Sequence, residues 1–190
     1  MAETNDQILI QRTLQGDQNA FAQLVEKYKQ PTFGIAYQIT ANREDAEEIA
    51  MDAFVKAYQA LNTFKFESKF STWLYRIVYN TAISKKRKKK LEFVAMDEHL
   101  TENYSEDDFT QGLQKLDNTE MIELIQRVMK SLPGEDAALM DLFYHQQLSI
   151  EEISHITSLS VSNVKVKLHR IRKRIFTAIQ LLLKPSTLIM

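Results

Sequence analysis

The 190-residue sequence has no cysteine, only four glycines and only three prolines. Without cysteine the chain has no disulfide framework and no thiolate chemistry, which is compatible with a reducing compartment. Because glycine and proline break helical patterns and are scarce here, long helices are predicted. No apolar run approaches the roughly 20 residues of a membrane-spanning helix, so no membrane insertion is expected. The first residues lack the basic and then apolar order of a signal peptide, which predicts a cytoplasmic location.

Charge is unevenly distributed along the chain, although the formal net charge is only −1. Residues 65–92 carry nine basic and two acidic side chains, whereas residues 93–125 carry one basic and nine acidic ones. Residues 160–190 carry seven basic side chains and no acidic one. Two basic blocks separated by an acidic connector predict two DNA-contacting surfaces.

The segment from Leu148 to Ile175 has the pattern of a short helix, a tight turn and a longer basic helix. Ser149 and Glu152 have the spacing of a capping box, which predicts the start of the first helix. Ser160 precedes a new apolar period and is predicted to cap the second helix. The residues expected to face the core recur at helical spacing: Val161, Val164, Leu168, Ile171 and Ile175.

The opposite face of this second helix is basic and bears amides. A projection places six residues on that face and two lysines beside it: Ser162, Asn163, Val166, His169, Arg170 and Lys173, flanked by Lys165 and Lys167. A helix with one apolar and one basic face fits the DNA major groove, so the segment is predicted to be a helix-turn-helix. The alternative is a helical hairpin with a solvated basic face, but solvated faces usually mix charges of both signs.

A second stretch combines aromatic and basic side chains. Six aromatic residues lie between Phe64 and Tyr79, and six consecutive basic residues follow from Lys85 to Lys90. Aromatic rings stack on unpaired bases while cations follow the phosphates, so the stretch is predicted to hold single-stranded DNA. Phe64 and Phe66 precede the helix in a short polar segment, and we expect them to stack on an extruded base.

The helix that follows has an apolar side and a polar side. Trp73 keeps the spacing of a core residue, so packing and DNA contact are equally compatible with its position. A polar stripe runs along the helix and is predicted to contact the DNA backbone: Thr72, Arg76, Asn80, Ser84 and Arg87.

The remaining patterns predict an all-α fold of two small helical domains joined by an acidic flexible linker. In the first domain Asp17 and Asn42 are expected to cap helices. Pro31 is expected to kink or split the helix in which it lies, and either Phe54 or Val55 points inward in the next. The predicted domains are residues 1–91 and 118–190, with the linker at residues 92–117.

Four segments in this order resemble a bacterial sigma factor of the small extracytoplasmic-function group, the promoter-specificity subunits of RNA polymerase. The opening, DQILIQRTLQGDQNAFAQLVEKY, resembles the start of the family's first domain. DAEEIAMDAFVKAY resembles the helix that docks on the polymerase clamp, and FKFESKFSTWLYRIVYNTAI resembles the promoter-melting region. Residues 131–175 resemble the second domain. One departure is Ser158, which stands where the family commonly has a glycine in the helix-turn-helix turn.

The resemblance implies binding to the clamp and flap regions of core polymerase and to promoter DNA, both duplex and single-stranded. The recognition helix would read the −35 element, with its lysines on phosphates. At the −10 element the loop from Phe64 to Ser68, including Glu67, would hold a flipped base. The docking face on the clamp helix would comprise three acids: Asp45, Glu48 and Asp52. Capture by an anti-sigma protein is compatible with this role. The resemblance also implies that the protein acts at the nucleoid. It implies no enzyme activity, cofactor or metal.

Two other classes of function compete with this interpretation. A free-standing helix-turn-helix regulator would explain the C-terminal half equally well but leaves the aromatic-basic stretch unexplained. A helical enzyme is disfavoured because the four histidines show no metal-ligand spacing and the chain has no phosphate loop or nucleophile elbow.

Overall fold

The computed structural model describes residues 5–92, 125, 127–129 and 131–183, and these residues form helices joined by short turns. The predicted linker, apart from residue 92, lies outside the described residues. We number the α-helices in chain order: α1 (Asn5–Leu14), α2 (Gln18–Thr40), α3 (Arg43–Ala60), α4 (Phe70–Glu92), α5 (Gly134–Met140), α6 (Ile150–Thr157) and α7 (Val161–Leu183). A 3₁₀ turn (Leu61–Thr63) follows α3, and a π-helical turn (Asp141–His145) follows α5.

The predicted caps are confirmed at the starts of the helices. Asp17 accepts hydrogen bonds from two backbone N–H groups at the start of α2, and Asn42 accepts one at the start of α3. Ser149 and Glu152 form the reciprocal capping box of α6. The Ser160 hydroxyl accepts from the backbone N–H of Asn163, 3.2 Å away, at the start of α7. These side chains satisfy donors that a helix start leaves free.

Helix α2 runs without a break through Pro31. Of the two predicted outcomes, a split is therefore wrong. Pro31 removes one backbone hydrogen bond, but α2 packs against α1, α3, α4 and α5. It buries Tyr28, Ile35 and Ile39 among them. Burial of this face outweighs the lost bond, because packing rather than propensity supplies most helix stability in proteins.

The core of the first domain lies among α2, α3 and α4. On α3 the structure resolves which of two neighbours points inward: Phe54 is buried, whereas Val55 is 51% exposed. The segment from Ile150 to Leu183 is a helix-turn-helix, as predicted. Val164, Leu168 and Ile171 of α7 are buried, which confirms the inward face.

The two domains pack directly on each other. Helix α6 lies against α4, and α5 lies against α2. Buried residues of both domains form one continuous cluster. None of the described helices is long and apolar enough to cross a bilayer.

Candidate nucleic-acid interface

The face of α7 predicted to read DNA is directed into solvent. Seven of its predicted residues are exposed: Ser162, Asn163, Lys165, Val166, His169, Arg170 and Lys173. The eighth, Lys167, is half-buried, and its Nζ lies 3.2 Å from Oδ1 of Asp136 on α5. An unobstructed polar and basic face of this length is what insertion of a helix into a major groove requires.

Asp136 is a residue that sequence reasoning missed. Its carboxylate lies between two cations of α7, Lys167 at 3.2 Å and Arg174 at 3.7 Å. Helix α7 contains no acid of its own, so the fold supplies its counter-charge from α5. Nothing in the spacing of the sequence indicates this pairing, because 31 residues separate Asp136 from Lys167.

Arg172 joins α7 to the π-helical turn. Its Nε donates a 2.7 Å hydrogen bond to the hydroxyl of Tyr144, and its guanidinium lies 5.4 Å from the ring centre of Phe143. A guanidinium over an aromatic face is attracted to the electrons of the ring. Arg172 therefore helps to fix α7 on the domain, and it lies outside the set predicted to face DNA.

The aromatic loop before α4 separates into a buried ring and an exposed one. Phe64 is only 8% exposed, with its ring 5.2 Å from that of Trp73, whereas Phe66 is 40% exposed. Of the two rings predicted to stack on an extruded base, only that of Phe66 is therefore exposed. The buried ring of Phe64 packs against the ring of Phe66, with 4.9 Å between the two ring centres. The half-buried Trp73 also contacts Phe70 and belongs mainly to this aromatic packing.

Phe66 has a left-handed backbone conformation, with φ of 59°. For a bulky side chain this conformation is rare and strained. It turns the loop so that Phe66, Glu67 and Ser68 are all exposed. Strain held at an exposed aromatic residue favours a functional role for the loop.

A cavity of about 390 Å³ lies beside this loop. Its walls include Phe66, Glu67 and Ser68 of the loop and Asp6 of α1. The Asp6 carboxylate accepts a hydrogen bond from the Tyr28 hydroxyl on the same wall. Burial, together with this bond, raises the pKa of Tyr28 well above its usual value, so the hydroxyl remains a donor. The volume and the mixed polar and aromatic lining suit one planar polar group.

The polar stripe on α4 is exposed except at its beginning. Arg76, Asn80, Ser84 and Arg87 are exposed as predicted. Thr72 is only 3% exposed, because Glu152 of α6 lies over it. The prediction of an open stripe is therefore wrong at Thr72, since the second domain covers this position.

The three acids predicted to form a docking face on α3 have different surroundings. Asp45 and Glu48 both pair with Lys85 of α4, at 3.3 Å and 2.6 Å. The hydrogen bond to Glu48 is the main cause of a raised pKa at Lys85, which keeps that ammonium charged. Asp52 is exposed one turn further along α3. The fold therefore uses two of the acids to join α3 to α4.

An apolar groove between α2 and α3 was missed in the sequence. It has a volume of about 930 Å³, with Phe21 and Phe33 on one wall and Met51, Val55 and Tyr58 on the other. Met51 is 71% exposed, which is unusual for a large apolar side chain. The spacing of Met51, Val55 and Tyr58 marks a second apolar stripe on α3, so the signal was present. Contiguous exposed apolar surface of this kind marks interaction sites.

Comparison with known proteins identifies two domains in the order that the structure shows. A family model for sigma-70 region 2 matches residues 24–92, and one for sigma-70 region 4 matches residues 122–175. The solved complex of CnrH with the cytosolic domain of CnrY shares the fold, with a TM-score of 0.62 at 23% identity over 93% of this chain and 98% of that one. The sigma factor RpoE of Bartonella quintana, solved with the anti-sigma factor NepR, also has a TM-score of 0.62, at 18% identity over 84% and 96%.

Two curated relatives cover almost the whole chain. The ECF RNA polymerase sigma factor SigW of Bacillus subtilis is 37% identical over 172 residues, which are 86% of this chain and 91% of the relative. The ECF RNA polymerase sigma-E factor of Escherichia coli strain K12 is 30% identical over 190 residues, covering 96% and 98%. With both family regions matched and these relatives aligned nearly end to end, the chain belongs to the extracytoplasmic-function group of RNA polymerase sigma factors.

Proposed function

We propose that this protein directs promoter-specific initiation by binding core RNA polymerase, reading the −35 and −10 elements and helping to melt the DNA. The observation that carries the proposal is the exposed face of α7, basic and free of acids, in the same chain as an exposed aromatic loop and polar stripe on α4. The first surface suits duplex DNA and the second suits a single strand. A free-standing regulator needs only the first.

At the −35 element, α7 would lie in the major groove. Ser162, Asn163, His169 and Arg170 would approach base edges, since they project from the exposed face. Lys165 and Lys173 would contact phosphates, which position the helix without reading sequence. Lys167 would contact a phosphate only while it is also paired with the carboxylate of Asp136.

At the −10 element, the loop around Phe66 would hold an extruded base of the non-template strand. The strained exposed ring and the adjacent cavity support this assignment. Arg76, Asn80 and Arg87 would guide the strand along α4. Extruding a base costs a few kcal/mol, and stacking returns about 1–3 kcal/mol per base. Melting on this scheme requires no nucleotide hydrolysis.

Core polymerase would dock on α3. The exposed Asp52, together with Asp45 and Glu48 at the α4 junction, would meet basic residues of the clamp. Such rim charges chiefly set association rate and salt dependence. The neighbouring apolar groove would supply the desolvated centre that a stable interface needs.

The wider setting follows from the same proposal. The DNA-melting and DNA-reading domains would extend over residues 1–91 and 118–190, with residues 92–117 between them passing through the polymerase and the second domain meeting its flap. The protein would act in the cytoplasm on the nucleoid, with no catalytic group of its own. Because the neighbour RpoE was solved with an anti-sigma factor, capture by such a protein is part of the proposal.

Run-off transcription tests the function directly. Core polymerase from the same organism is supplied with genomic promoter fragments, with and without this protein. Initiation at discrete start sites only in its presence is the expected result. Tight binding to duplex DNA by the protein alone, with no initiation, would instead establish a free-standing regulator.

A further inference from the structure

The contact between the two domains lies on the surface assigned to −10 DNA. Oε1 of Glu152 on α6 lies 2.9 Å from Nζ of Lys69, immediately before α4. The hydroxyl of Thr72 donates to the same oxygen over 3.5 Å. Thr72 is buried by this contact, although it begins the polar stripe. The DNA-reading domain thus covers one end of the surface that is meant for a single strand.

The Glu152 carboxylate is held in place from its own helix. Its second oxygen, Oε2, accepts a 2.9 Å hydrogen bond from the backbone N–H of Ser149 in the capping box. Burial alone would raise the pKa of Glu152, but the bonds from Ser149 and Lys69 outweigh it, and the net pKa is lowered. The group is therefore an oriented anion with one oxygen directed at an ammonium and a hydroxyl. A DNA phosphate oxygen makes the same contacts.

A second contact fixes the same arrangement on the other side of the interface. Gly134, the first residue of α5, lies so close to α2 that an added Cβ would be 2.4 Å from the carbonyl oxygen of Ile39. Only a glycine permits this approach, because a Cβ would overlap rigid backbone. The two domains are therefore fitted to each other at separate points.

We propose that the free protein closes on itself, with the Glu152 carboxylate occupying the position of a DNA phosphate at Lys69 and Thr72. Closure and binding of single-stranded −10 DNA then exclude each other. The −35 face of α7 stays exposed in the closed arrangement. This inference rests on the proposed role of α4 in holding the −10 strand.

Two variants open the closed form by different means, and each has a matched control. Glu152→Gln removes the charge but keeps the capping box, in which glutamine is an accepted residue. Its control is Glu151→Gln, the same charge change at an exposed neighbour. Gly134→Ala forces α5 away from α2 while remaining compatible with a helix. Its control is Gly34→Ala, because a Cβ at Gly34 meets nothing within 4 Å.

Two measurements are made on the free full-length proteins. Small-angle X-ray scattering gives the radius of gyration, and fluorescence anisotropy gives the affinity for a labelled single-stranded 12-mer of mixed sequence. Gly134→Ala should enlarge the radius of gyration and tighten strand binding by about tenfold, the factor by which closure reduces the competent fraction. Glu152→Gln should tighten binding about two- to fivefold, as expected for an ion pair in which the lysine is exposed and the carboxylate half-buried. Both controls should match the wild type.

Each contrary result has a separate meaning. If Gly134→Ala and Glu152→Gln both scatter like the wild type, the protein does not close as proposed. If they expand without binding the strand more tightly, the competition is refuted. If Arg76→Ala leaves strand binding unchanged, the proposed role of α4 fails, and scattering still decides whether the protein closes. Should Gly134→Ala fail to fold, Glu152→Gln against Glu151→Gln decides the matter alone.

Discussion

Phe66 combines exposure with a backbone conformation that costs a bulky residue on the order of 1–3 kcal/mol. The sequence indicated an aromatic loop, but it did not distinguish Phe66 from Phe64. Both are phenylalanines in the same short polar segment, and only the packing of Phe64 against Phe70 and Trp73 separates them. Such a choice depends on the tertiary surroundings of two similar side chains.

Phe66→Ala should impair strand opening while leaving duplex −35 binding intact. Loss of one stacked base costs about 1–3 kcal/mol, so open complexes should fall by roughly 5- to 150-fold. Permanganate reactivity of the opened thymines reports this directly. Tyr37→Ala, which removes another exposed ring on α2, is the control. Thymines equally reactive with both variants would refute the assignment of Phe66.

Ser158 adopts a left-handed conformation, φ 59°, in the turn between α6 and α7. Glycine is the residue that adopts this conformation at least cost. Ser158→Gly should raise the free energy of unfolding by about 0.5–1 kcal/mol, because relief of the strain exceeds the added entropy of the unfolded chain. Urea denaturation measures the change. Ser162→Gly, in the helical part of α7, should lower stability instead, and a gain at both positions would exclude relief of strain as the cause.

At the scale of the helix, most of the fold was predictable because its signals are local. Caps and apolar periods depend on residues within one or two turns of each other, and the starts of α2, α3, α6 and α7 follow from them. Asp136 was not predictable, because its role depends on two helices meeting. The α2–α3 groove could have been predicted from the second apolar stripe on α3. The role proposed for α3 was instead based on its acidic residues.

The orientation of α7 makes a prediction about Arg170. Arg170→Ala should weaken duplex promoter binding by about 1–3 kcal/mol and relax preference at one base position, since an arginine facing the groove is the commonest reader of guanine. Lys165→Ala is the comparison, because loss of a phosphate contact weakens all sequences alike. Binding is measured on promoter and unrelated duplexes at several salt concentrations. If Arg170→Ala weakens binding to both duplexes equally, Arg170 contacts only a phosphate.

The exposed side of α3 makes a prediction about Asp52. Asp52→Arg should reduce association with core polymerase, since it reverses a charge on the proposed docking face, and the loss should lessen as salt screens the repulsion. Co-purification with core polymerase at low and high salt is the measurement. Glu151→Arg reverses an exposed charge on α6, away from this face, and should have no such effect. Unchanged recovery of core with Asp52→Arg would remove this residue from the docking face.

At the scale of the whole molecule, the packing of the two domains was not predictable from sequence. Its contacts join residues far apart in the chain, such as Thr72 and Glu152, 80 residues apart. The sequence around Thr72 does not indicate a contact with Glu152, and the sequence around Glu152 does not indicate one with Thr72. The interface also half-buries a carboxyl group, with one hydrogen bond from Nε2 of Gln146 at 3.3 Å. Asp141 lies in the π-helical turn near Tyr75 of α4, and burial raises the pKa of Asp141.

Asp141→Asn should therefore change how stability depends on pH. An acid whose folded pKa is raised destabilises the fold once it ionises, so the wild type loses stability as pH rises from the unfolded pKa through the folded one. The variant should equal the wild type at the acid end and be more stable above it. Urea unfolding between about pH 4 and 8 tests this expectation.

Asp17→Asn is the control, because its effect on stability should depend on pH in the opposite direction. The hydrogen bond from Arg12 is the largest cause of the lowered pKa of Asp17, and bonds from Ala20 and Asn19 add to it. That variant should be less stable than the wild type at neutral pH, and the deficit should shrink as pH falls. A common pH profile for both variants would mean that the surroundings of Asp141 do not raise its pKa.

The exposed α7 face, beside an α4 that is covered at one end, has a consequence for how the protein searches a chromosome. A basic helix face binds any duplex through its phosphates and allows the protein to slide from site to site. With Glu152 held at Lys69 and Thr72, a sliding protein would bind single strands less readily than an open one. A permanently open protein would be retained on single strands that are not promoters, because stacking and phosphate contacts are largely independent of sequence. The protein would thus scan as a duplex-binding protein and become a melting factor only on opening.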